Sequence, residues 1–192
     1  MFEVILYQPE IPANTGNIIR LCANTGCRLH LIEPLGFRLD RRSVRRAALD
    51  YGELANVHTH RTLTGCLEQL AGGAAVPGGA VRLFAIETGA AALYSEARFV
   101  PGDALLFGSE TQGLPPPLLA TLPAGRHLRL PMQPGNRSLN LANAAAIVIY
   151  EAWRQNGFAP APAAGRRLTA TAGLTATAGL TATAEPSRRA GG

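Results

Sequence analysis

Three segments of the chain gather small polar and ionisable side chains at spacings from which a reaction could be run. The first is Asn14-Thr15-Gly16-Asn17-Ile18-Ile19-Arg20, a polar stretch entering a helix. The second, Phe107-Gly108-Ser109-Glu110-Thr111-Gln112-Gly113-Leu114-Pro115, is a glycine-bounded loop after an apolar run. The third is Leu130-Pro131-Met132 followed by Asn136-Arg137-Ser138-Leu139-Asn140-Leu141-Ala142-Asn143. Taken singly, each has a plain reading, because asparagine and serine cap helices and glycine makes turns. Taken together they offer a guanidinium, a carboxylate, a hydroxyl and amides at the places where an α/β fold puts its site. All 18 basic residues are arginine. That excludes every mechanism resting on an ε-amine: a P-loop lysine, a Schiff base, a lysine general base.

The elements that must position these groups alternate along the chain. Residues 4–7, 29–32, 81–87, 104–107 and 127–131 are short continuous apolar runs, the pattern of strands covered on both faces. Between them, helices are predicted around residues 18–24, 43–49, 63–70, 116–122 and 139–155, the last opened by Asn136, Arg137 and Ser138 as a capping group. This alternation predicts an α/β fold, a mostly parallel sheet flanked by helices, with ligands at the carboxyl ends of the strands. The body, residues 1–156, holds fourteen arginines against twelve acidic residues, so its net charge is only +2. Its one basic concentration is Arg38, Arg41, Arg42, Arg45 and Arg46, either a solvated helix face or the footprint of a phosphate-rich partner.

Cys22, Cys27 and Cys66 form neither a CxxC pair nor an even set, so free thiols are expected and a disulfide framework or structural zinc is not. His58-Thr59-His60 has metal-like spacing but reads as a half-exposed strand. The amino terminus meets Glu10 and two prolines at once, unlike a signal peptide, and no apolar run reaches the length of a membrane span; a soluble cytoplasmic protein is expected. From Gly157 the composition turns to Ala, Pro, Gly and Thr, with Leu-Thr-Ala-Thr-Ala-Gly at 168–173 and again at 174–179. Residues 157–192 are therefore expected to be a low-complexity, disordered tail outside a single domain of residues 1–156.

The joint pattern of the three segments resembles the motifs of the SPOUT superfamily of RNA methyltransferases. Pro-Glu-Ile-Pro-Ala-Asn-Thr-Gly-Asn-Ile-Ile-Arg-Leu-Cys-Ala-Asn-Thr-Gly and Tyr-Glu-Ala-Trp-Arg-Gln are similar to phrases of its minimal tRNA (cytidine/uridine-2′-O)-methyltransferase family. The likeness runs from Tyr7 to Gln155 and stops at the tail. It implies a C-terminal deep trefoil knot, a homodimer, S-adenosyl-L-methionine as methyl donor with no metal, and tRNA, through its anticodon stem-loop, as partner. The implied reaction is methylation of the wobble ribose, position 34. Another tRNA position, rRNA, or a non-catalytic RNA-binding role are the alternatives. By motif position the resemblance implies that Ile86, Gly108, Leu130 and Ser138 line the cofactor site. Arg20 and Asn14 would act on the nucleophile, with Glu110, Ser138 and Asn140 completing the catalytic set. Tyr150 and Arg41, Arg42, Arg45 and Arg46 would meet RNA. Independently, no G-x-G-x-x-G occurs, and the first strand runs into Gln8-Pro9-Glu10-Ile11-Pro12, which argues against the common dinucleotide-type cofactor turn.

Overall fold

The computed structural model describes residues 1–38, 56–73 and 80–160. Arg41, Arg42, Arg45 and Arg46, the helix expected over 43–49 and the repeats of the tail lie outside the described residues. Among those described, seven parallel strands form one sheet: β1 (Glu3–Tyr7), β2 (Arg28–Ile32), β3 (Val57–His60), β4 (Leu83–Ile86), β5 (Ala92–Leu93), β6 (Ala104–Phe107) and β7 (His127–Arg129). Their order across the sheet is β3-β2-β1-β6-β4-β7-β5, and each neighbouring pair is parallel. The α-helices among the described residues are α1 (Pro12–Thr25), α2 (Leu63–Gly72), α3 (Pro116–Leu119) and α4 (Leu141–Gln155).

The continuous apolar runs are explained by a sheet covered on both faces, and the parity of each strand divides the core in two. Val4, Leu6, Leu29, Leu31, Leu105 and Phe107 pack against Ile18, Ile19 and Cys22 of α1 and against Ala145, Val148 and Ile149 of α4. Ile5, Ile32, Ala85 and Leu106 face the other way, onto Leu63, Cys66 and Leu70 of α2, with Leu118, Leu119 and Leu122 beside them. Alanines at 142, 145 and 152 bring α4 close to its neighbours. Burial pushes the Cys22 thiol well above the ordinary range, raises that of Cys27 and pushes that of Cys66 up to about 12. All three are free.

Several boundaries differ from the sequence expectation, for local reasons. α1 begins at Pro12 rather than near Ile18, since a proline in the first turn lacks only an N–H that would have no partner there. It ends on Gly26 at φ 71°, a left-handed cap. α4 begins at Leu141, not at the 136–138 group. Its cap is Asn140, whose side-chain oxygen accepts from the backbone N–H of Ala142 and Asn143 at 2.9 and 3.3 Å. β7 stops at Arg129, just before Leu130-Pro131, where proline could not continue the ladder. The two-residue β5 was too short to leave a periodicity, whereas β3 is the half-buried strand that His58-Thr59-His60 suggested.

β4 and β5 flank β7, yet only residues 87–91 join them. Parallel strands are usually linked by a dozen or more residues. Here the link passes from one side of β7 to the other, tied down by the Glu87 N–H donating to the Leu128 carbonyl at 2.9 Å.

Leu6 is fully buried in the central strand β1. Leu6→Ala is expected to lower unfolding free energy by about 2–5 kcal/mol, and the exposed Leu139→Ala by under about 0.5 kcal/mol, both read from urea denaturation midpoints.

Candidate active site

Proline sits at both ends of the turn that leaves β1, and the chain there cannot cap its own helix: Ile11 precedes α1 with no side-chain cap, and the first turn carries no acidic residue. A carboxylate from about a hundred residues away does it instead. Glu110 accepts from the Glu10 N–H at 2.8 Å, from the Ile11 N–H at 3.2 Å and from the Asn14 side-chain amide at 2.9 Å. The anion thus lies where the unpaired N–H groups and the positive end of the helix dipole favour it. Asn14 is buried and spends its other atom on the same junction, its Oδ1 accepting from Asn140 Nδ2 at 2.9 Å. Asn140 then caps α4. Glu110, Asn14 and Asn140 therefore form one string of hydrogen bonds that pins three distant segments together, with Thr111 Oγ1 donating to Glu10 Oε1 at 2.8 Å beside it.

The loop carrying Glu110 closes on itself. Ser109 and Gly113 exchange backbone hydrogen bonds at 3.3 and 2.9 Å, and Gly113 turns at φ 67°. A Cβ on Gly108 would stand 2.1 Å from the Gly113 carbonyl carbon, so only glycine fits.

A cleft of about 510 Å³ opens at the carboxyl ends of β4, β6 and β7, the size of a small-molecule site. Ile86, Leu114, Leu130 and Met132 give it an apolar wall; Glu87, Thr88, Ser138 and Arg137 give it polar edges. Of the residues singled out in the sequence, Asn14, Ile86, Gly108, Glu110, Leu130, Ser138 and Asn140 all line it. Arg20 does not. It lies on the exposed flank of α1, about 9 Å along the axis from Asn14, rather than at the loop-helix junction. Ser138 is not the cap of α4, and its exposed hydroxyl is left to the cleft. Tyr150 is 47% exposed on α4, its ring edge against Trp153. Sequence reading placed Met132 and Arg137 in its third segment without giving them a role, and missed Glu87 and Thr88, for which polar residues just beyond the end of a buried strand were the available signal.

The model of the SpoU rRNA Methylase family matches residues 1–150. This chain belongs to that family. Among curated relatives, a tRNA (cytidine(34)-2′-O)-methyltransferase of Polaromonas sp. is 54% identical over 83% of this chain and 93% of its own length. Another of the same name, from Methylovorus glucosotrophus, is 52% identical over 84% and 99%. A solved structure described as giving structural insights into the 2-OH methylation of C/U34 on tRNA is 44% identical, with a TM-score of 0.72 over 82% of this chain and 97% of that one. A SpoU methyltransferase from Streptomyces viridochromogenes in complex with AdoMet is 26% identical, with a TM-score of 0.65 over 80% and 57%. These matches carry the α/β sheet and its flanking helices; the SpoU methylase cleft described above comes from this chain's own residues.

Two substitutions test the loop. Gly108→Ala is expected to cost this SpoU methylase roughly 1–3 kcal/mol of unfolding free energy because backbone must move, whereas Gly125→Ala, where a Cβ meets nothing, stays within about 0.5 kcal/mol. Glu110→Gln places an amide among three N–H donors and is expected to cost roughly 1–3 kcal/mol in the same urea titration.

Proposed function

We propose that the chain transfers a methyl group from S-adenosyl-L-methionine to the ribose 2′-hydroxyl of the wobble nucleotide, position 34 of tRNA. The observation that carries this is the match to curated tRNA (cytidine(34)-2′-O)-methyltransferases at 52–54% identity over nearly their whole length. The cleft fits the donor: Ile86, Leu130 and Met132 offer a flat adenine its apolar packing, and Glu87, Thr88 and Ser138 offer polar partners to the rest. Bound there, the cofactor supplies a sulfonium methyl already activated by its charge.

The chain's task is then the nucleophile. A ribose hydroxyl is a very weak acid and must shed its proton, here to solvent water, as its oxygen attacks. Arg20 stands outside the donor cleft on the exposed flank of α1, so it would meet the ribose from outside that cleft, stabilising the developing alkoxide and orienting the neighbouring phosphate; a guanidinium is almost always protonated and suits that role better than a base's. Glu110 has both oxygens engaged by N–H donors, so it holds the loop rather than taking the proton. Asn14 and Asn140 set the junction between α1 and α4, and Ser138 addresses cofactor or ribose. A sulfonium leaving group needs no Lewis acid, and no metal enters this step.

The same reading includes a deep trefoil knot, supported by the short link that spans β7. It also includes a homodimer, supported by Ile147 and Tyr150 exposed on one face of α4. RNA would be met by Tyr150 and by Arg41, Arg42, Arg45 and Arg46, with binding that weakens steeply in salt. Such an enzyme works in the cytoplasm; no helix among the described residues is long and apolar enough to cross a membrane. An rRNA ribose is the second reading, favoured by the description of the family model.

Incubation with labelled S-adenosylmethionine, total tRNA and rRNA, followed by nucleoside mapping, is expected to place label in the ribose of tRNA position 34; label confined to rRNA, or none, overturns the proposal. Arg20→Ala and Arg20→Lys should both slow transfer by about 10²–10³-fold, and near-normal turnover in either would reduce Arg20 to a surface residue. Ile147→Asp is expected to halve the mass seen by light scattering if α4 forms the dimer contact.

A further inference from the structure

On the sheet face covered by α2, away from the cleft, side chains from three strands and a helix converge. His30 of β2 is 2% exposed. Its Nε2 lies 3.0 Å from Glu3 Oε2 on β1, and its Nδ1 lies 2.9 Å from His60 Nε2 on the edge strand β3. The ligand atoms of His30, His60 and Cys66 all lie within 4.8 Å of one another. Cys66 is fully buried on α2, between Leu63 and Leu70. None of these residues lines the cleft.

We propose that His30 Nδ1, His60 Nε2 and Cys66 Sγ are the ligands of a divalent transition-metal site, with zinc as its occupant. Three features point there. Two imidazoles and a thiolate are the donor set of zinc and its borderline-soft neighbours, and a poor one for magnesium or calcium. Glu3, which Arg28 holds in place, can only accept, so His30 Nε2 carries the hydrogen and Nδ1 is the ring atom left facing the other two groups. A carboxylate on the far ring nitrogen is the arrangement that orients metal-binding histidines. Thirdly, His60 is half-buried on the edge strand, so one ligand of the cluster stands next to solvent. Tetrahedral zinc asks for roughly 3.3–3.6 Å between such ligand atoms, so closure needs the cluster's longest separations to shorten by about 1 Å.

Binding replaces the hydrogen shared by the two imidazoles, which passes through solvent to His60 Nδ1. The Cys66 S–H bond breaks, a sulfur–metal bond forms, and one proton leaves per ion bound. The ion would clasp β2, the edge strand β3 and α2.

Cobalt(II) is the probe, added to full-length protein first stripped with chelator. One equivalent is expected to give a thiolate-to-cobalt charge-transfer band that zinc abolishes by displacement. Cys66→Ala should lose that band, Cys22→Ala, a buried thiol elsewhere, should keep it, and His60→Gln on the half-exposed strand should weaken cobalt binding by at least about tenfold. Urea midpoints of the stripped variants show whether each is folded. No charge-transfer band in the parent protein under cobalt excess, or the same band in Cys66→Ala, overturns the site and leaves a hydrogen-bonded relay. Methyl transfer shares no residue with this cluster, so the two proposals stand or fall separately.

Discussion

A single carboxylate holds the candidate site together. The turn out of β1 is framed by prolines and cannot cap the helix it starts, so α1 depends on Glu110 for its missing acceptor. Because that acceptor rides on the loop after β6, the helix cannot settle until the loop has, and Asn14 and Asn140 carry the dependence on to α4. The arrangement ties the loop after β6 to the starts of α1 and α4, the three segments that border the cleft.

The sheet's two faces divide the work. One carries α1 and α4, the elements that frame the cleft; the other carries α2 and the histidine cluster. Strand parity alone separates them, since consecutive side chains point to opposite faces. Phe84 and Ile86 thus belong with the core under α1 and α4, whereas Leu83 and Ala85 belong with the opposite core.

Much of this was legible in the sequence. Unbroken apolar runs announced a sheet buried on both sides, and glycine, asparagine and serine segments marked the strand ends where the cleft lies. Other features were hidden for physical reasons. A two-residue strand has no period, and nothing local distinguishes Asn140 from Asn136 as a cap; only the contact with Asn14 does. Arg20 matched a motif by position, yet its place depends on where α1 starts, and proline moved that start by six residues. The spacing of His58-Thr59-His60 and that of the three cysteines each point away from a metal site, because spacing sees only neighbours along one segment and leaves His30 out. The cluster's members come from β2, β3 and α2, and register brings them together.

The insertion of β7 between β4 and β5 bears on how the chain acquires its site at all. The five-residue link leaves a slot one strand wide, and the chain fills it with a segment made about thirty-five residues later. Until β7 enters, the sheet has no continuous edge there, and the walls contributed by Ile86 and Leu130 have no fixed separation. The cleft is therefore complete only with β7 seated, since Ile86 ends β4 and Leu130 follows β7. A molecule bound in it is coupled to the whole folding equilibrium rather than to a local one, so occupancy would protect β1 and β6 as strongly as the loops it touches.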